Sequence, residues 1–262
     1  MSAAADPRFA DGAKYDRLMG KWSVLAGVKF LNWLAAPSRL KWIDIGCGSG
    51  AFTELIVESC APVSVDAIDP AEGQLAYARS RPGTGMAQFR VGDAMALPFA
   101  DATFDAAVMA LVIFFVPDPA KGVAEMVRVV RPGGLVTAYA WDATRGGAPI
   151  EVMWSELEAA GLAPPRPPSG QASRMENLRQ LWADAGLQEI ETSEIVVMRS
   201  FVDFDEFWAI NTATNFGPAI AKLAPDDAVA LKQRVRNRLP ADAVGRISFS
   251  ARANAIKGRM PR

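Results

Sequence analysis

The chain has 262 residues, with 28 Lys or Arg against 29 Asp or Glu, for a formal net charge of -1. Half of it is hydrophobic, enough for a sizeable core and unlike a disordered segment. It has no histidine and two cysteines, which excludes Ser–His–Asp chemistry, His-ligated zinc and a disulfide framework. Taken in order, residues 13–35 space Tyr15, Leu18, Met19, Trp22, Leu25, Val28, Phe30, Leu31 and Leu34 as a helix does, and Pro37 ends it. One helix, or two broken near Gly20 or Gly27, fits equally. A strand follows at 40–45, and then Gly46, Gly48 and Gly50 precede a helix over 51–59. Glycine permits positive φ and lets a ligand approach the backbone, while the helix start offers free N–H groups. A strand, a glycine turn and a helix in this order suit a nucleotide-like ligand. Cys47 sits inside the turn, where a small side chain is needed.

The second strand, 63–68, runs into Asp69-Pro70. An acid at this tip is placed to accept both hydroxyls of a ribose, or else to cap a helix over 72–80. Asp66, earlier on the same strand, is the alternative acid. Strand 87–91 leads to Gly92-Asp93-Ala94, and strand 104–115 is apolar nearly throughout, as a central parallel strand should be. Its longest apolar stretch, 106–116, is well short of the roughly 20 residues a membrane span needs. A helix over 120–130, Pro132-Gly133-Gly134 and a strand over 135–141 complete the alternation. Beyond it come a segment at 153–161, helices at 175–185 and 226–239, strands at 187–197 and 246–256, and an aromatic segment at 200–216. A Pro-rich stretch at 163–170 reads as a loop, and the late arginines as a solvated helix face and a ragged terminus.

The glycine run is D-x-G-x-G-x-G and lacks the x-x-G spacing of the dinucleotide fingerprint. Together with Asp69, the Gly92-Asp93-Ala94 block with Leu97-Pro98-Phe99, and FDAAVMALVIFFVPDP…EMVRVVRPGG, it resembles the class I methyltransferases that use S-adenosylmethionine (SAM). The resemblance is specific over residues 41–141. It implies an α/β, Rossmann-like, doubly wound sheet of seven strands, mostly parallel, with one antiparallel strand near the C-terminus. It implies a single domain over 1–262, with a SAM-binding core at about 38–142, a helical cap at 8–36 and a substrate lid in 143–262. A SAM site is implied from Asp44, Gly46, Cys47, Gly48, Gly50, Asp69, Pro70, Asp93, Ala94, Ala110 and Tyr15. In such proteins the acid at Asp93 takes the adenine amino group. Where many relatives have histidine after the fourth strand, this chain has Phe114-Phe115.

The expected activity is methyl transfer to a small molecule, since no basic platform for nucleic acid is visible. The alternatives are a non-catalytic SAM-binding protein and an NAD-linked oxidoreductase. Trp22, Phe204 and Trp208 are candidate substrate contacts, and the segments 15–22 and 201–216 are expected to roof the cofactor. No metal is expected, and no catalytic base is identified; Asp44, Asp142, Tyr15 and Tyr139 are the side chains to test. Two cysteines and no signal-peptide pattern suit a cytoplasmic location.

Overall fold

The computed structural model describes residues 12–164 and 166–262, without the side chains of residues 14, 15, 214 and 215. One sheet of seven strands organises it: β1 Lys41–Ile45, β2 Ser64–Asp69, β3 Ala87–Val91, β4 Phe104–Ala110, β5 Val130–Trp141, β6 Gln188–Phe201 and β7 Ile247–Arg259. Their order is β3-β2-β1-β4-β5-β7-β6. The pairs from β3 to β5 are parallel, and β7 runs antiparallel to both β5 and β6. The order reverses beside β1, so the carboxyl ends of β1 and β4 diverge into a crevice. The core strands β1 and β4 are buried almost end to end.

Helices α3 Ala51–Cys60, α4 Glu72–Arg79 and α5 Pro119–Val129 carry the crossovers between parallel strands. Asp118 caps α5, accepting the Lys121 N–H at 3.0 Å, with Pro119 at the first helical position. The N-terminal helix is broken neither at Gly20 nor at Gly27. Short α1 Gly12–Tyr15 passes through a π turn, Asp16–Gly20, into α2 Lys21–Leu34. Gly20 is small because the Asp16 carboxylate folds back over it, within 2.5 Å of where a Cβ would stand. Gly27 is small because α2 meets Leu55 and Phe52 of α3 there.

The strand expected over 104–115 stops at Ala110. Leu111 adopts a φ of 63°, and Ile113–Phe115 form a single 3-10 turn. The apolar run continues, but it leaves the sheet once the ladder with β5 ends at the Ala110–Tyr139 pair. The closing hairpin is longer than its alternation suggested. Its strands β6 and β7 stay paired from Gln188–Arg259 to Phe201–Ile247. The late arginines are spent mostly on ion pairs, Arg234 and Arg238 with Glu156 of helix α6 Glu151–Ala159, and Arg252 with Asp142. No helix among the described residues is long and apolar enough to cross a membrane.

Helix α7 Met175–Asp184 locks onto the outer half of the sheet through Trp182, whose indole donates to the Val136 carbonyl at 3.0 Å. Gly258 leaves room for that ring: a Cβ there would lie 2.8 Å from Trp182 Cδ1. Gly258→Val should therefore cost about 1–3 kcal/mol, the usual range for overpacking, read as a lower urea midpoint at unchanged slope.

Candidate cofactor site

Three left-handed glycines set the turn after β1, with φ of 73° at Gly46, 52° at Gly48 and 78° at Gly50. They are not equivalent. A Cβ on Gly46 would strike Val112 at 2.6 Å, and one on Gly50 would strike Ala78 at 2.9 Å. On Gly48 it would meet only Gln74 Oε1, at 3.9 Å. Two glycines therefore make the turn and its packing, and the middle one opens onto a cavity of about 550 Å³. The first turn of α3 has N–H groups without intrahelical acceptors, and its cap, Gly50, has no side chain to take them.

Asp69 joins the turn to the next helix. Its Oδ2 accepts the Gly48 N–H at 3.0 Å and its Oδ1 accepts the Ala71 N–H at 2.8 Å. It is not the cap of α4, which is Ala71 and forms no side-chain bond. Each carboxylate oxygen keeps a second acceptor site. Asp66 is spent on Arg90, at 2.8 Å. Asp93 holds its own loop by accepting the Met95 N–H on Oδ1, and no described residue engages its other oxygen. Asp44 lies fully buried beneath the turn, accepting the Thr53 hydroxyl at 2.7 Å. Burial pushes its carboxyl up to about 7, against the Thr53 bond, with the Asp69 charge adding to the rise. Burial also raises Asp69, opposed by its two backbone N–H bonds, and drives the Cys47 thiol up.

Of the residues expected to hold the cofactor, Gly46, Cys47, Gly48, Asp69, Pro70, Asp93, Ala94 and Ala110 line this one cavity. Asp44 and Gly50 stand behind the wall, shaping the turn. The Tyr15 side chain lies outside the described residues. The three candidate substrate aromatics, Trp22, Phe204 and Trp208, are not among the residues that line this cavity. Trp22 is buried against Trp141 and Phe249, at 6.4 and 5.2 Å between ring centres. Phe204 opens helix α8 Phe204–Asn211 and stacks on Trp208, with the Arg236 guanidinium over its ring at 4.6 Å. At the same end of β6 and β7, Phe207 of α8 packs on Phe201 and Phe249. Asp142 is buried and paired with Arg252 at 2.9 Å, and is not among the residues that line this cavity.

The structure adds wall residues that sequence reading passed over, Ser23, Gln74, Arg166 and Pro168, and brings Phe115 to the same wall. Arg166 belongs to the Pro-rich loop, which packs on the 3-10 turn through the Ser169 N–H to the Phe114 carbonyl, at 3.0 Å. Its ion pair with Glu158 and its place over the Trp154 ring tie it to α6. The N-terminal segment reaches the site too: Ser49 of the glycine turn donates to Asp16, which also holds Arg81.

An open sheet with a glycine turn after β1, an acid at the tip of β2 and a second acid after β3 defines the class I methyltransferase domain. The methyltransferase domain family matches residues 43–138, and that segment is such a domain. The chain is 36% identical over 137 residues to a malonyl-[acyl-carrier protein] O-methyltransferase of Methylococcus capsulatus, covering 52% of this chain and 48% of that one. It is 35% identical over 115 residues to a demethylmenaquinone methyltransferase of Desulfitobacterium hafniense, covering 42% and 46%. The chain thus spans about half the length of these curated relatives. The fold is shared with phosphoethanolamine N-methyltransferase 2 of Haemonchus contortus, solved with S-adenosylhomocysteine, at a TM-score of 0.59, 17% identity and coverage of 96% and 57%. It is shared also with the cyclase SpnF, at a TM-score of 0.54, 18% identity and coverage of 95% and 94%. S-adenosylmethionine is the cofactor of this class of domain, and the open face of Gly48 beside two carboxylates fits it.

Two outcomes follow. Gly46→Ala and Gly48→Ala both strain a left-handed residue, by about 1 kcal/mol or more. Only Gly46→Ala adds a clash, so it should lower Tm further, whereas Gly48→Ala should lose SAM affinity in calorimetry. The second outcome concerns pH. A carboxyl whose folded pKa exceeds its unfolded value stabilises the fold most below the unfolded pKa, and that stability is lost as pH rises towards the folded value. With Asp44 pushed up to about 7, the Tm of the ligand-free protein should fall from about pH 4 to pH 7. Asp44→Asn should flatten that fall.

Proposed function

We propose that this chain transfers the methyl group of SAM to a small-molecule acceptor. The open, acid-flanked face of Gly48 within a single large cavity carries this reading. The family match and the named methyltransferase relatives support it. The sulfonium of SAM supplies an activated methyl. The protein's task is then to hold the acceptor in line and to keep water out. Asp69 would take the ribose hydroxyls, and Asp93 the adenine amino group, as acceptors facing donors. Pro70, Ala94 and Ala110 supply close apolar contact along the same wall. The acceptor would lie towards Phe115, Tyr139 and Pro168, a wall with aromatic and apolar faces.

No histidine is available as a base, so proton transfer, where the acceptor needs it, falls to the acceptor itself or to a carboxylate or tyrosine such as Asp44 or Tyr139, and positioning does the rest. The whole chain is read as one methyltransferase domain of cytoplasmic location, with the cap at 8–36 and the region 143–262 completing the site around the core. The likeness to SpnF supports a second reading, in which the same cavity serves chemistry other than methylation. Purified protein incubated with methyl-labelled SAM and a small-molecule extract separates the two: label should pass to an extractable acceptor, and its retention on SAM would favour the second. Asp69→Ala should weaken SAM binding by about 1.5–3 kcal/mol in calorimetry, the range for a hydrogen bond to a charged group. Unchanged affinity would move the ribose contact elsewhere.

A further inference from the structure

Arg199 of β6 is a buried arginine, 5% exposed. Its guanidinium lies over the Phe201 ring at 4.4 Å and over Trp22 at 5.9 Å. It makes one hydrogen bond among the described residues, from Nη1 to the Leu18 carbonyl at 2.9 Å, and its Nε is buried without a partner there. It forms no ion pair among those residues. Glu206, the acid whose charge reaches it, accepts the Val202 N–H instead. A guanidinium taken out of water without a carboxylate is costly, and burial holds its pKa below the usual arginine value. A methionine would fill the space beside the two rings without that cost. What the charge secures is a backbone carbonyl, and that carbonyl belongs to the π turn Asp16–Gly20.

The π turn meets the cofactor cavity on its other side. Such turns are rare, and they persist where their surroundings fix them. The Asp16 carboxylate folds over Gly20, accepts the Ser49 hydroxyl at 3.1 Å and pairs with Arg81 at 3.0 Å. Ser49 stands between Gly48 and Gly50 and lines the cavity, as does Ser23 in the first turn of α2. The π turn is thus held at two points, on the glycine turn by Asp16 and on the hairpin by Arg199. We propose that Arg199 is a positioning residue for the cofactor site: by fixing Leu18 it sets the π turn so that Asp16 reaches Ser49 and steadies the glycine turn. The proposal rests on the SAM reading for what that turn binds. It connects the hairpin end, where α8 packs on Phe201 through Phe207, to a cavity that its rings do not line. The connection runs through two hydrogen bonds and the backbone from Asp16 to Leu18.

The test is a double-mutant cycle of Arg199→Met and Asp16→Asn, read in two ways. Calorimetry gives the affinity for S-adenosylhomocysteine, and hydrogen exchange of the ligand-free protein follows peptides covering 16–23 and 46–52. Arg199→Met should weaken binding about fivefold, the size of one ordinary hydrogen bond. In the Asp16→Asn background the same substitution should change affinity by less than about twofold, because the link is already cut. Exchange in Arg199→Met should quicken in both peptides. Arg199→Leu carries the same cycle if the methionine variant does not fold. Wild-type affinity in the Arg199 variant, with or without a fall in Tm, would overturn the proposal and leave Arg199 a packing residue. Losses that multiply in the double variant would overturn it too, since Arg199 would then act by a route other than Asp16. So would quickened exchange confined to 16–23. Wild-type protein that binds no S-adenosylhomocysteine, while exchange remains coupled between the two peptides, would overturn the SAM reading and leave the coupling standing.

Discussion

A single carboxylate, Asp69, ties the site together. It accepts one N–H from the glycine turn after β1 and one from the residue that opens α4. Two crossovers of the sheet are thereby fixed to each other at the point where the strand order reverses. The turn itself is fixed from below, because Gly46 and Gly50 pack against Val112 and Ala78 with no room for a side chain. What remains open is the face of Gly48, with Gln74 behind it and Asp93 across the crevice. Burial raises the pKa values of Asp44 and Asp69, so negative charge on them is held at a cost.

The rest of the chain supplies walls. The N-terminal π turn meets the glycine turn through Asp16 and Ser49, and Ser23 of α2 lines the cavity. The Pro-rich loop closes another side with Arg166 and Pro168. Without histidine, the wall has little to offer as a base and much to offer as a mould. Phe115 stands where relatives were expected to have a polar side chain, and it makes that part of the wall apolar. This suits transfer by positioning, in which the reacting groups supply the chemistry and the protein supplies proximity and exclusion of water.

The core of the fold was legible because its signals are local. Each βα unit writes its own strand run, turn and helix start, so β1, β2, β3, α3, α4 and α5 fall within a residue or so of their expected bounds. The fourth strand was misjudged for a physical reason. An apolar run marks burial, and burial continues past Ala110 in a 3-10 turn under the Pro-rich loop after hydrogen bonding to the sheet has ended. Among the rings of the last hundred residues, Phe201, Phe207 and Phe249 pack into one cluster with centres 5.3–5.8 Å apart, a packing that the surplus of aromatics at 201–216 does not by itself distinguish from a pocket.

From the sequence alone came the parallel doubly wound core, the glycine turn and the acids at two strand tips, whereas the antiparallel closing strand was implied by the family resemblance. These depend on residue type, spacing and chain order, all of which are written along one dimension. Tertiary structure alone decided which glycine faces open space, because that depends on what lies opposite each one: Val112, Ala78 or the cavity. It alone separated Asp69, bonded to the turn, from Asp66, spent on Arg90. It alone brought Ser23, Gln74 and Arg166 to one cavity from three distant stretches, since no local pattern records which helix or loop will fold over a strand tip.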